Sequence, residues 1–146
     1  MVSVRGNELP DDLLYDVPNQ VWYQPLGDGT VRVGISSVAV DLAGKVLAFT
    51  PKRVGREFEQ GRAFATFESG KWVGPARAAF DGTVVAHNET LIERPGIVNR
   101  DPYKEGWMLV VRPAREDWRQ GLVTGAAVAP AFEAWMDAEG YERRAR

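Results

Sequence analysis

The sequence predicts a mainly β fold in which two sheets close over one core or curl into a small barrel. Three observations carry this. Apolar, β-branched and aromatic residues come in short runs, KVLAFT, RAFATFE, GTVVAH and WMLVVRP. Gly, Pro, Asp or Asn bounds each run, and Val31, Val33 and Ile35 alternate across VRVGI after the turn GDGT. Such spacing leaves little room for long helices.

Taken in order, VRVGI has the period of a half-buried strand. SSVAVDLAG opens on serines able to cap a first turn and ends at Gly44, which predicts a turn or two of helix. KVLAFT and RAFATFE are strands, and the run ATFES leads to Gly70, Lys71 and Trp72 before a returning strand at ARAAF. Lys71 is thereby expected at a hairpin turn, its amine projecting from the body. GTVVAH is the next strand, and His87, within AHNE, is expected in a surface loop. NETLIERPGIVN offers Asn88 as a cap and Leu91 and Ile92 as an apolar side, with Pro95 keeping the element short. After the strand WMLVVRP, the small residues of GLVTGAAVAP read as a flexible connection. In PAFEAWMDAEGYERR, Phe132, Trp135 and Met136 fall at helical spacing after Pro130, so a terminal helix packs on the sheets. The expected organisation is one domain over residues 1–146, with a core at about 21–113 and the connection and helix at 114–146.

With 146 residues, 45% of them apolar, the chain suits a domain that holds its own core. A net charge of −2 offers no broad basic field for a phosphate backbone, so nucleic acid is not expected as a partner. No apolar run approaches the roughly 20 residues that span a bilayer, and MVSVRGNELPDDLL lacks the charged start and apolar centre of a signal peptide. No membrane association and a cytoplasmic location are the expectations. The absence of cysteine removes disulfide scaffolds, thiolate metal sites and cysteine nucleophiles together. A single histidine cannot build a His-rich metal site.

Residues able to do chemistry are few. A phosphate loop would need glycine at position 65 and a hydroxyl at position 72, where the chain has Ala65 and Trp72. Asp11 and Asp12 read as a solvated turn, and Ser36 and Ser37 have no base beside them, so a hydrolase is not expected. Trp22, Trp107, Trp118 and Trp135 are assigned to burial and packing. Trp72, in the hairpin, either touches an arm or partner or folds back on the next strand. Lysine is confined to Lys45, Lys52, Lys71 and Lys104. Its amine, unlike a guanidinium, can form an amide and lose its charge.

Lys71 in FATFESGKWVGP, with Gly82 of AAFDGTVV eleven residues on, is similar to the attachment site of a lipoyl carrier. The chain resembles the glycine cleavage system H-protein family from about Val21 to Arg112 and again at the C-terminal helix. The resembling pieces are VWYQ, DGTVRVGISSVAVDLAGKVLAF, FATFESGKW, IVNRDPYKEGWMLVVRP and DAEGYE. The resemblance implies a barrel-sandwich hybrid of two antiparallel sheets with short helices and a C-terminal helix. It implies lipoate in amide linkage on Lys71, and a carrier rather than an enzyme. A tethered arm meets a docked active site at an effective concentration of order millimolar, and its dithiol closes to a disulfide by thiolate exchange, so the prosthetic group supplies the sulfurs this chain lacks. Implied partners are a lipoate ligase or other lipoylating enzyme and the enzymes that load and unload the arm.

The neighbourhood of the lysine departs from the glycine-cleavage pattern. Gly70, Trp72 and WVGP stand where that pattern has a bulkier aliphatic residue and small polar neighbours, and Gln20 and Val21 precede Trp22 where it reads His-Glu. The opening VRGNELPDDLLYDVPNQVWY and ESGKWVGPA are closer to the lipoate-binding proteins that accompany the heterodisulfide-reductase-like complex of sulfur oxidisers. That resemblance implies sulfur intermediates as the load, with the aminomethyl group of glycine cleavage, and its enzymes as partners, as the alternative. An unlipoylated H-like binding or regulatory module is the rival from another class. A biotin carrier is disfavoured because Gly70 and Trp72, not methionine, flank the lysine. Glu68 is either a mark for the ligase or a surface strand residue.

Overall fold

The structure, a computed structural model, describes residues 1–145; Arg146, the last residue of the expected domain, lies outside them. Among the described residues, eleven strands pair antiparallel throughout. β1 (Val2–Val4) and β2 (Asn7–Leu9) form a two-stranded hairpin whose loop is Arg5 and Gly6, at φ 50° and 85°. Both left-handed values match the twist of a tight hairpin. β3 (Leu14–Asp16), β4 (Val21–Pro25) and β5 (Val31–Ile35) continue into a six-stranded sheet. Its remaining strands are β11 (Leu109–Pro113), β10 (Gly82–His87) and β7 (Glu57–Phe58), in the order β3-β4-β5-β11-β10-β7. β6 (Val46–Pro51), β8 (Ala63–Ser69) and β9 (Val73–Arg77) make a second, three-stranded sheet with β8 in the middle.

The two larger sheets bury a common core. Val31, Val33, Val84 and Val111 face Phe49, Phe64 and Phe67, and the Phe49 and Phe67 rings lie 5.0 Å apart. A second core fills the other side of β3 and β4, where Tyr15, Trp22 and Val38 pack with Phe132 and Met136; Tyr15 meets Phe132 edge-on at 5.2 Å. Val21, Trp22 and Tyr23 are therefore all buried, without alternation, because this strand has protein on both faces.

The helices follow the expected signals. α1 (Ser37–Ala43) is capped by the Ser36 hydroxyl, which accepts from Ala39 N at 3.2 Å, and stops at Gly44 with φ 76°. α2 (Glu89–Glu93) is capped by Asn88, and α3 (Ile97–Arg100) follows Pro95. Two expectations are corrected. GLVTGAAVAP is not a free connection: Val123 bridges to Tyr15, and the Thr124 hydroxyl donates to Leu13 O at 2.7 Å. A 3-10 turn at Gly125–Ala127 leads into α4 (Val128–Glu139), which starts before Pro130 because Val128 is buried in the second core. His87 is not in a loop; it closes β10 opposite Leu109, half-buried, with Nδ1 2.8 Å from Glu89 Oε1.

Candidate functional site

The β8–β9 register pairs Phe67 with Gly74 and Glu68 with Val73, so Ser69 lies opposite Trp72 and only Gly70 and Lys71 are left to turn the chain. The Ser69 N–H donates to Trp72 O at 2.7 Å and closes the loop. This is the shortest common hairpin connection, and it holds Lys71 at the outermost point of a rigid pair of strands. Lys71 is exposed, and its ammonium makes no salt bridge among the described residues. The returning strand starts at Val73, three residues earlier than ARAAF suggested. Pro75 is tolerated within it because β9 lies at the edge of its sheet, where a missing N–H breaks no inner ladder.

The lysine side chain does not stand free of the body. It bends toward the end of α1, where a Cβ added to Gly44 would meet Lys71 Cε at 3.0 Å and Nζ at 3.5 Å. Gly44 is held in place by Asn99, whose amide donates to Gly44 O at 2.8 Å and accepts from Val46 N at 2.9 Å. Glycine serves twice here: its φ of 76° disfavours a side chain, and its bare surface leaves a channel for the lysine stem. Glu68 points to solvent on the outer face of β8 beside Val73. The Trp72 ring folds back on the next strand and covers Gly74 so closely that a Cβ there would come within 1.7 Å of the ring atom Cζ2. It remains 43% exposed.

Next to this tip runs a groove of about 220 Å³ between α1 and β9. Ala39, Leu42 and Ala43 form the α1 wall, and Phe67, Trp72, Pro75 and Ala76 the wall of the small sheet. Ile35, Trp135 and the turn Pro18–Asn19–Gln20 close it. No local signal in the sequence points to this groove, because its walls come from six separate stretches of chain.

Gly82 has a different task from the one its spacing to Lys71 suggested. It lies on β10, where a Cβ would come within 2.7 Å of both Arg112 O and the Phe58 ring, so it permits close packing in the large sheet and does not approach the lysine hairpin. Trp22 is fully buried and donates from Nε1 to Pro102 O at 3.1 Å, which ties the DPYKEGW segment to β4. Trp118 packs against Phe80 at 5.3 Å with the rings tilted by 60°, and Trp107 lies under the Arg32 guanidinium at 5.6 Å. Among the described residues no group of His, Asp and Glu could hold a metal ion. Among the described residues no helix is long and apolar enough to cross a membrane.

Comparison with known proteins sets this geometry in context. Residues 13–134 match the family model described as glycine cleavage H-protein. The chain is 40% identical over 136 residues to "Glycine cleavage system H protein 2" of Aquifex aeolicus, covering 92% of this chain and 84% of that protein. It is 34% identical to "Probable glycine cleavage system H protein 2" of Sulfurisphaera tokodaii, covering 95% of each. A crystal structure of a glycine cleavage system H protein from Mycobacterium marinum superposes with a TM-score of 0.73 at 28% identity, over 90% of this chain and 99% of that one.

Proposed function

As the chain belongs to the glycine cleavage H-protein family, whose members are carriers of covalently bound lipoate, we propose that it holds lipoate in amide linkage on Lys71 Nζ and shuttles intermediates between partner enzymes. The observation that carries this reading is the two-residue turn Gly70–Lys71, which presents one amine at the tip of a stiff hairpin. Lys45, Lys52 and Lys104 have no such placement: they lie between α1 and β6, just after β6, and in the loop before β11. The chain fits the group, since Gly44 leaves open the surface that the lysine stem crosses. The bound lipoate would supply a dithiol–disulfide couple that this cysteine-free chain cannot supply itself. The chain's own part is to hold the attachment point rigidly while leaving the arm long and mobile, so that a docked partner meets it at high effective concentration.

The partners are a lipoylating enzyme and the enzymes that load and unload the arm. For the load we favour sulfur intermediates exchanged with a heterodisulfide-reductase-like complex over the aminomethyl group of glycine cleavage. Support comes from Gly70, Trp72 and the run WVGP around the lysine and from Gln20 and Val21 ahead of Trp22. Three relatives from Aquifex aeolicus are numbered H proteins 2, 3 and 5, a set large enough for members to specialise.

Protein made in a lipoylating host should gain the mass of one lipoyl group, and Lys71→Arg should lose it while unfolding within about 0.5 kcal/mol of wild type, as for an exposed surface position. An unmodified Lys71 in the presence of a competent ligase would sink the carrier reading in favour of a binding or regulatory module. Reduction of the arm during glycine decarboxylation, at the rate of an authentic H protein, would overturn the sulfur load.

A further inference from the structure

We infer that the depression between the β4–β5 pair and the loop before β11 is a binding site for a small organic monocarboxylate, held by Arg32 with Gln24 beside it. The site stands apart from the lysine hairpin: this depression, of about 480 Å³, shares no lining residue with the groove beside Lys71. It is built around an unpaired cation. Arg32 lies on β5, an inner strand of the large sheet with β4 on one side and β11 on the other, and is only partly exposed. Val31 and Val33 on either side of it point into the first core, so the arginine stands on the opposite face and lines the depression. Its Nε is buried without a hydrogen-bond partner, and among the described residues its guanidinium forms no ion pair. The Trp107 ring, 5.6 Å from Cζ, attracts the cation through its face but supplies no oxygen acceptor. A half-buried cation without an acceptor is unfavourable for the folded chain, and a bound anion relieves it.

The class of anion follows from the surroundings. Gln24 is the direct cross-strand partner of Arg32, so the two side chains leave the same face with Cβ atoms ~5 Å apart. One carboxylate can therefore accept from the guanidinium fork and from the Gln24 amide together. Pro10, Leu13 and Trp107 offer apolar walls for a carbon body. At the mouth, exposed Asp12 and Glu105 stand against exposed Lys104, and the Met1 amino group is already paired with Asp11 at 2.8 Å. A dianion such as phosphate is repelled by both acids, whereas a single carboxylate is matched one to one by Arg32. The size suits a free molecule, since pockets for small ligands occupy about 300–1,000 Å³.

The test uses the full chain, isotope-labelled and titrated at constant ionic strength with phenylacetate, phenylacetamide or inorganic phosphate, with side-chain N–H resonances followed by NMR. Phenylacetate should shift the Arg32 Nε–H, the Gln24 amide and the Trp107 indole and should saturate, with a Kd of about 1 mM or tighter. The Trp72 indole should stay in place, and unmodified and lipoylated protein should bind equally well, so this site and the carrier reading fail separately. Phenylacetamide and phosphate should each bind at least about tenfold more weakly. Arg32→Lys keeps the charge but loses the fork and should cost about tenfold in affinity; the three probes on the wild-type chain decide the matter even if that variant does not fold. Shifts that never saturate, equal binding of the amide, or an Arg32→Lys protein that binds like wild type overturn the site. Phosphate bound as tightly as phenylacetate overturns the monocarboxylate. A peptide ending in a free phenylalanine carboxylate that binds more tightly than phenylacetate overturns the free molecule in favour of the end of a protein chain.

Discussion

Two tryptophans in this molecule lie on bare glycines, and the contrast between them separates the body from the working tip. Trp22 covers Gly34 across the β4–β5 pair, and Trp72 covers Gly74 within the lysine hairpin. In both places an added Cβ would clash with the ring, at 2.4 Å for Trp22 and 1.7 Å for Trp72. Trp22 is fully buried and its indole N–H is bonded to Pro102 O, whereas Trp72 is 43% exposed and has solvent on its outer side. The same local device is enclosed on every side in one setting and open to solvent in the other. A ring that is packed on every side has no alternative rotamer to move into.

The largest expected effect is at the enclosed ring. Trp22→Ala should cost about 3–5 kcal/mol, as for large-to-small changes at a buried aromatic, and Gly34→Ala about 1–3 kcal/mol as an overpacked site. Chemical denaturation measures both. A Gly34→Ala protein as stable as wild type would show that Trp22 can swing, and the contrast would collapse.

The tip should respond in the opposite way. Gly74→Ala displaces a ring that can rotate into solvent, so the stability change should stay within about 0.5 kcal/mol, the range of ordinary surface substitutions. Trp72 fluorescence should shift to that of a more exposed indole. A loss as large as that for Gly34→Ala would mean that the hairpin tip is part of the core.

How far these regions could be read from the sequence follows the same division. The tip was legible because a glycine and a lysine between two β runs form a local signal, and hairpin geometry depends on neighbours in the chain. β9 starts at Val73, ahead of ARAAF, because its place at the sheet edge makes Gly74 and Pro75 acceptable within a strand. α1 and Asn88 were legible through their caps, which are also local. The short strands β1, β2, β3 and β7 carry two or three residues each and depend on partners far along the chain. For the same reason the tie from Thr124 to Leu13 O, which removes the freedom of a Gly- and Ala-rich stretch, was invisible.

The smallest effect concerns the element that joins the two regions. α1 presents Val38 to the Trp22 core and Ala39, Leu42 and Ala43 to the groove beside Lys71. The C-terminal segment holds it there: Tyr141 donates to Asp41 Oδ2 at 2.7 Å and accepts from Asn7 Nδ2 at 3.0 Å. Burial pushes the Tyr141 hydroxyl up from 10.0 to about 12; Asp41 adds to the rise, and the bond from Asn7 opposes it. A raised acid favours the neutral phenol in the folded state. Its contribution is therefore complete below pH 10 and is lost as the pH rises from there through about 12. Wild type should lose stability across that window relative to Tyr141→Phe, which has no proton to release, and the Ala145 amide, bonded to Asp41, should exchange faster as it does. Parallel stability curves for the two proteins across that window would show that the tail does not hold α1. The groove wall would then be fixed by the core alone.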